Sequence, residues 1–125
     1  MKGSPARGGA AYATGLRAET LACDALARDG WTILGRRLRT ARGEIDIAAE
    51  RDGLLSLVEV KARRTLTDAA HALLPRQRAR LLAAAEILLG QNPGWGRNGT
   101  RIDVILVDAN GTIRRISDAV RLDDE

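Results

Sequence analysis

The chain has 125 residues, a net charge of +4 and one cysteine, Cys23. This length fits one domain, and a lone cysteine excludes both an internal disulfide and a cysteine-based zinc site. Two Trp, one Tyr and no Phe argue against a module that binds single strands by stacking their bases.

The first half of the chain predicts one helix and three strands. Residues 1–14 are rich in Gly, Ala and basic residues without periodicity, and predict a flexible basic arm before a domain at 15–125. Apolar residues at helical spacing begin near Gly15 and end before Gly30, which predicts the first helix. Strands are predicted at 31–38, 44–49 and 54–62, and an Asp52-Gly53 hairpin turn joins the last two.

The second half predicts a short helix at 67–74 and a long one that begins at Pro75. Strands at 101–107 and 112–116 follow, joined by an Asn110-Gly111 turn, and residues 117–120 predict a last helical turn. The order α-β-β-β-α-β-β indicates the α/β class. No stretch has the apolar length of a signal peptide or a membrane span, so we expect a cytoplasmic protein without membrane contact.

Charged residues interrupt two of the apolar strands. The period of two places Glu44 and Asp46 on one face of the second strand, opposite Ile45 and Ile47. On the third strand, Glu59 and Lys61 share a face in an otherwise apolar run. Buried ions are costly unless they are paired or bind a metal, so these strands predict an ion pair or a metal site.

The hairpin can bring Asp46 close to Glu59, although the sequence leaves their register open. Mg²⁺ takes one or two carboxylates and fills its other positions with water and phosphate oxygens. Lys61 could then orient the attacking water or stabilise the phosphorane, and Glu19 could bind water or a second ion. The structural alternative is an ion pair of Lys61 with Asp46 or Glu59, and Glu44 is either an auxiliary ligand or an exposed strand end.

Four segments together resemble the YraN family of small bacterial proteins, namely Glu19, Gly43-Glu44-Ile45-Asp46, Glu59-Val60-Lys61 and Arg101-Ile102-Asp103-Val104. That family is similar in turn to the PD-(D/E)XK nuclease superfamily, notably the archaeal Holliday-junction resolvases. The resemblance covers residues 15–120. It implies a restriction-endonuclease-like α/β domain, with a mixed central sheet flanked by helices and a divalent-metal site.

The resemblance also assigns roles to individual residues. Five side chains match catalytic positions of the superfamily, namely Glu19, Asp46, Glu59, Lys61 and Gln77. The metal, Mg²⁺ or Mn²⁺, is assigned to Asp46, Glu59 and the backbone carbonyl of Val60, with Glu19 as a further candidate ligand. Asp103 is expected to be a structural acid.

The basic residues around the acidic segment suit a polyanion. Residues 43–61 contain five acidic and two basic residues, whereas residues 62–101 contain two acidic and seven basic ones, and this pattern suits phosphates held beside a metal. The plain alternative is an ordinary charged surface. We expect nucleic-acid contacts from five arginines, namely Arg42, Arg63, Arg64, Arg76 and Arg78.

The leading hypothesis is a Mg²⁺- or Mn²⁺-dependent endonuclease that acts on DNA. A preference for branched or flapped DNA, and a homodimer, rest on the resolvase analogy alone. One alternative is a non-catalytic module that binds nucleic acid or a protein partner on a nuclease fold. Another is an RNA-processing nuclease that uses the same site.

Overall fold

The computed structural model describes residues 3–71 and 75–120, with the side chains of 15–71 and 77–120. Eight elements follow one another in the chain: α1 (Gly3–Arg28), β1 (Thr32–Thr40), β2 (Gly43–Arg51), β3 (Leu54–Ala62), α2 (Leu66–Ala70), α3 (Pro75–Gln91), β4 (Thr100–Val107) and β5 (Ile113–Val120). The α/β class and the predicted order are confirmed, and both helices predicted after the third strand are present as α2 and α3.

The five strands form one mixed sheet in the order β1-β2-β3-β4-β5. The β3–β4 pair is parallel, whereas the other three pairs are antiparallel. Helix α1 packs on one face through Ala22 and Leu26, and α3 packs on the other through Leu82 and Leu88. Both faces of the sheet are therefore covered, which explains why β3 is apolar at successive positions.

Helix α1 begins much earlier than predicted. It starts at Gly3, whereas the sequence predicted a flexible arm over 1–14 and a helix from Gly15. Alanine is the strongest helix former and recurs in this segment, and Pro5 is tolerated because it lies in the first turn. The helix therefore includes residues 3–14, the division into an arm and a domain stays a prediction, and residues 1 and 2 lie outside the described part of the chain.

The end of the domain also differs from its prediction. Residues 117–120 continue β5 and do not form a helical turn. The β4–β5 register moves from Val104↔Ile116 to Ile102↔Val120, and Asp118 adopts φ 56° in the bulge between them. The backbone N–H of Asp118 donates to Asp103 Oδ1 at 2.6 Å, so a tertiary contact favours the bulged strand over a helical turn.

Helix α2 is shorter than predicted. It spans Leu66–Ala70, and the Thr65 side chain accepts a hydrogen bond from the backbone N–H of Asp68 at its start. Residues 72–74, which the prediction included in this helix, lie outside the described residues. Helix α3 begins at Pro75 as predicted.

Candidate functional site

Asp46 lies where the side chains of strand β2 cease to alternate regularly between the two faces of the sheet. Ile45 packs in the core under α3, whereas Ile47 packs in the core under α1, so the prediction that both share one face is wrong. Arg36 pairs with Ile47 and Leu38 with Ile45, and Arg37 between them has φ 52°. This left-handed residue interrupts the alternation of β1 opposite Asp46.

The carboxylate of Asp46, in place of a backbone carbonyl of β2, accepts a hydrogen bond from the backbone of β3. The β2–β3 register ends at Ile47↔Val58, and beyond it Asp46 Oδ2 accepts a hydrogen bond from the backbone N–H of Val60 at 2.7 Å. Asp46 is partly buried and lies beside the Glu59 side chain, with which it can share a hydrogen bond when one of the two carboxyls is protonated. The structure thus brings the two predicted acids into direct contact.

This contact changes the acidity of Asp46. Burial and the adjacent Glu59 carboxylate raise the pKa of Asp46 to about 8, against the lowering effect of the hydrogen bond from Val60. Two carboxylates that share a partly buried position resist simultaneous ionisation. In the metal-free protein, the pair therefore releases its last proton less readily than two separate carboxyls would.

Lys61 lies next to the acid pair. Its Nζ atom is 3.3 Å from Glu59 Oε2, and the two side chains are 11% and 15% exposed. The ion-pair reading of the sequence is thus realised with Glu59. Such a pair leaves an ammonium group within reach of anything bound by the acids, so the ion pair and a catalytic role are compatible.

Glu19 lies in the same groove but is held by arginines. It is 6% exposed, and its Oε1 accepts hydrogen bonds from Arg36 Nε at 3.1 Å and Arg37 Nε at 3.3 Å. Glu19 and Asp46 both line a groove of about 680 Å³ on the α1 face of the sheet. The structure therefore brings Glu19 near the acid pair, with its charge compensated by two guanidinium groups.

Gln77 lies on the other side of the acid pair from Glu19. A smaller cavity, of about 180 Å³, is lined by Asp46, Glu59, Gln77 and Arg80. Glu44 also lines this cavity, and its carboxylate forms an exposed ion pair with Arg39 at 3.4 Å. Helix α3 thus brings the predicted Gln77 to the site.

Arg80 is a site residue that the sequence reasoning missed. A Cβ atom on Gly43 would stand 2.8 Å from Arg80 Cγ and Cδ, and Gly43 has φ 150°. The absence of a side chain at residue 43 therefore lets the arginine stem cross the β1–β2 turn. The spacing of three residues from Gln77 was the available signal, because such residues share a helix face.

The predicted nucleic-acid contacts lie at different distances from the acids. Arg63 lines the groove that contains Asp46, together with Arg37 and Arg39, which the sequence reasoning did not select. Arg64 follows Arg63 and is exposed. Arg42 and Arg78 are exposed on the β1–β2 turn and on α3, and the Arg76 side chain lies outside the described residues.

The acid pair is the smallest donor set that suits a hard cation. Among the side chains that the structure describes, no group of three or more His, Cys, Asp or Glu residues could hold a metal ion. Two carboxylates are nevertheless sufficient for Mg²⁺, which keeps several waters and phosphate oxygens as ligands.

Within the described residues, no helix is long and apolar enough to cross a membrane.

Asp103 occupies a separate, fully buried position, as expected of a structural acid. Ser56 Oγ donates to its Oδ2 at 2.5 Å, and one guanidinium nitrogen each of Arg101 and Arg115 does so at 3.1 Å. Burial by itself raises the pKa of this carboxyl, but the hydrogen bonds from Ser56, Asp118 and Arg115 together lower it.

Comparison with known proteins places these residues in a family. Residues 18–107 match the family described as "Uncharacterised protein family UPF0102". A UPF0102 protein of Granulibacter bethesdensis is 63% identical over 119 residues, which cover 95% of this chain and 75% of that protein. A UPF0102 protein of Parvibaculum lavamentivorans is 48% identical over 120 residues, which cover 96% and 90% of the two chains. The chain therefore belongs to the UPF0102 (YraN) family.

Proposed function

We propose that this protein is a divalent-metal-dependent endonuclease that hydrolyses phosphodiester bonds in DNA. The observation that carries the proposal is the contact between Asp46 and Glu59, with Lys61 3.3 Å from Glu59. The resemblance to the PD-(D/E)XK nucleases supports the same assignment. An acid pair beside one ammonium group suits the cleavage of an anionic ester.

The acid pair fits Mg²⁺ or Mn²⁺ because of its charge. Burial and Glu59 oppose ionisation of Asp46, and a divalent cation would remove that opposition by neutralising both carboxylates. When bound, the ion would lower the pKa of a ligand water and compensate charge on the phosphate. Asp46 and Glu59 would hold it through oxygen atoms, which are the ligands that Mg²⁺ prefers.

The backbone of β3 supplies a further oxygen. The N–H of Val60 bonds to Asp46, and the N–H and C=O of one strand residue face the same neighbouring strand. The Val60 carbonyl is therefore directed to the side on which Asp46 lies, in agreement with its predicted role as a ligand.

Lys61 and Gln77 complete the proposed chemistry from either side of the acids. The Lys61 ammonium can hold a water in line with the phosphorus or compensate the negative charge of the phosphorane. Gln77 lines the same cavity as both acids, and its amide can hydrogen-bond to water or a phosphate oxygen. Arg63 in the groove supplies charge for neighbouring phosphates.

One observation favours the alternative of a non-catalytic binding module. Glu19, which matches an acid of the superfamily's first helix, is compensated by Arg36 and Arg37. An acid held by two cations is a poorer metal ligand or base than a free one. The binding module would keep the basic groove and lack turnover.

A cleavage assay separates the two proposals. Purified protein is incubated with labelled linear, flapped and four-way-junction DNA, and with matched RNA, in Mg²⁺, Mn²⁺ or EDTA. We expect metal-dependent cutting that Lys61→Ala abolishes and that Arg28→Gln, an exposed change in the last turn of α1, leaves intact. Binding without cutting of any substrate would contradict the nuclease and favour the binding module.

A further inference from the structure

A third space, a cavity of about 520 Å³, lies beside the groove of the acid pair. It is situated between α1 and the turn that joins β4 to β5, at the carboxyl ends of the parallel strands β3 and β4. Ala18, Ala62 and Arg63 line both the cavity and the groove. The two spaces are therefore neighbours on one face of the sheet, and one bound chain could occupy both.

The walls of this cavity are apolar and small. Ala18, Leu21, Ala62 and Val107 contribute to them. Gly111 has φ 81°, a conformation that favours glycine, and a Cβ atom there would be in ordinary contact with Leu21 Cδ1 at 3.6 Å, so the β4–β5 turn lies close to α1. Asp108 and Asn110 of the turn also line the cavity, and apolar walls combined with a few polar groups are typical of sites for small ligands.

The rim of the cavity is basic. Arg17, Arg63 and Arg64 line it, and all three are exposed. None of them takes part in the ion pairs formed between described side chains, and Arg63 donates instead to the neighbouring carbonyl of Ala62 at 2.6 Å. Guanidinium groups without a carboxylate partner are suited to phosphate oxygens.

We propose that this cavity binds the base of one unpaired nucleotide, next to the nucleotide whose phosphate lies at Asp46 and Glu59. The apolar walls contact the faces of the base, while the rim arginines bind the phosphates on either side of it. This inference rests on the proposed nuclease function. It specifies the substrate as DNA with an unpaired nucleotide beside the cleavage position, as in a flap, a gap or a junction.

The energetics of base pairing support this choice of substrate. A base inside a duplex is stacked and paired, so its entry into a side pocket requires the free energy of unstacking and unpairing it. A nucleotide that is already unpaired enters without that cost. A cavity for one base beside the acids therefore selects against continuous duplex DNA, without any reading of sequence.

Binding to a forked DNA tests the proposal independently of catalysis. Affinity is measured in EDTA by fluorescence anisotropy, with a series of forks in which one nucleotide of the single-stranded arm at a time is made abasic. We expect one position near the fork at which loss of the base weakens binding by roughly tenfold, because the apolar walls no longer bury that base. Abasic positions farther along the arm should have little effect.

Two protein variants locate the effect. Ala109→Trp fills the cavity from its exposed rim. It should remove the difference in affinity between the normal fork and the abasic fork. Ala27→Trp, an equal change on the exposed surface of α1, should retain it. Arg64→Gln should weaken the binding of both forks by the same factor. It is the variant to use if circular dichroism shows that Ala109→Trp does not fold.

The outcomes separate this proposal from the nuclease function. Metal-dependent cutting combined with a uniform abasic profile overturns the base-binding cavity and leaves the nuclease intact. An abasic effect that Ala109→Trp and Ala27→Trp both preserve places the base elsewhere on the protein. Failure to bind any of the DNAs overturns the base-binding cavity, and it overturns the nuclease as well if none of them is cut in the presence of metal.

Discussion

At the scale of the residue, Asp46 carries the largest electrostatic cost in the described part of the site. Its carboxyl replaces a backbone partner for Val60 and contacts Glu59, so the ladder and the acid pair depend on the same side chain. Active sites commonly retain groups that destabilise the protein alone and become favourable when a ligand binds. Asp46 fits that description for a metal site.

The first prediction concerns stability in the absence of metal. The pKa of Asp46 is raised from 3.8 in the unfolded chain to about 8 in the folded one, so the folded state binds an extra proton between these values. Stability therefore decreases as the pH rises through this window. Urea unfolding in EDTA from pH 4 to pH 9 measures the decrease.

Asp46→Asn is the matched variant for this prediction. The amide keeps an acceptor for Val60 and presents a donor to Glu59 at every pH. We expect it to exceed the wild type in stability at pH 9 in EDTA, on the order of 1–2 kcal/mol, because solvent reduces the full linkage value. A variant that is less stable than the wild type at this pH would contradict the strained acid pair.

The second prediction separates metal binding from turnover. Asp46→Ala should abolish Mn²⁺ binding in calorimetry, whereas Lys61→Ala should retain it and lower the cleavage rate by roughly a hundredfold or more. The wild type should release a proton on binding at pH 7, because Asp46 must ionise, so the measured heat should depend on the buffer. Unchanged Mn²⁺ affinity in Asp46→Ala would remove this residue from its assigned role.

At the scale of the element, strands β4 and β5 are joined by a buried ionic cluster. Asp103 accepts hydrogen bonds from Ser56, Arg101, Arg115 and the backbone of Asp118. Arg101 and Arg115 also lie over the Trp31 ring, at 5.6 and 4.8 Å from its centre. This cluster connects the central sheet to the start of β1 at some distance from the acid pair.

The third prediction is that Asp103→Ala destabilises the fold severely. Removal of the carboxylate leaves the Ser56 hydroxyl and the Arg101 guanidinium without their partner, and leaves Arg115 with only Asp29 at 3.5 Å, which together costs roughly 3–5 kcal/mol. Urea unfolding at pH 7 measures the loss. Asp108→Ala is the control, because Asp108 accepts only backbone N–H groups in an exposed turn and its loss should cost about 1 kcal/mol. Equal losses in the two variants would contradict the prediction.

The elements that the sequence predicted well are those with strong local signals. Strand β3 agrees with its predicted bounds because an apolar run follows the Asp52-Gly53 turn. The faces of Ile45 and Ile47 could not be predicted, because they depend on the left-handed Arg37 in the paired strand. The bulge at Asp118 depends in the same way on Asp103, which is distant in sequence.

At the scale of the whole molecule, the site is predictable where its residues lie on adjacent strands. Asp46, Glu59 and Lys61 come together because β2 and β3 form a hairpin, which the sequence indicates directly. Arg80 and the cavity at Gly111 depend on how α3 and the β4–β5 turn pack on the sheet. Such placements are properties of the assembled fold and carry no local pattern.

The fourth prediction concerns the electrostatics of the whole surface. DNA affinity should fall linearly with the logarithm of salt concentration, because bound phosphates release counterions. Arg63→Gln and Arg64→Gln should each reduce the slope by about one unit, whereas Arg28→Gln should leave it unchanged. Anisotropy titrations in EDTA between 50 and 200 mM salt measure these slopes. Over this range, the DNA affinity of a protein with many phosphate contacts falls about 10³–10⁵-fold. Identical slopes in all variants would contradict a role for Arg63 and Arg64 in phosphate binding.

The two-residue turn between β2 and β3 has a consequence for the order of folding. Asp52 and Gly53 have φ values of 52° and 79°, the signs required at both positions of the tight turn that favours hairpins. Asp46 and Val60 are 14 residues apart, so closing the chain between them costs little entropy. The parallel β3–β4 pair, by contrast, must wait for a crossover through α2 and α3. We therefore expect the acid pair to form in an early hairpin, before the rest of the sheet encloses it.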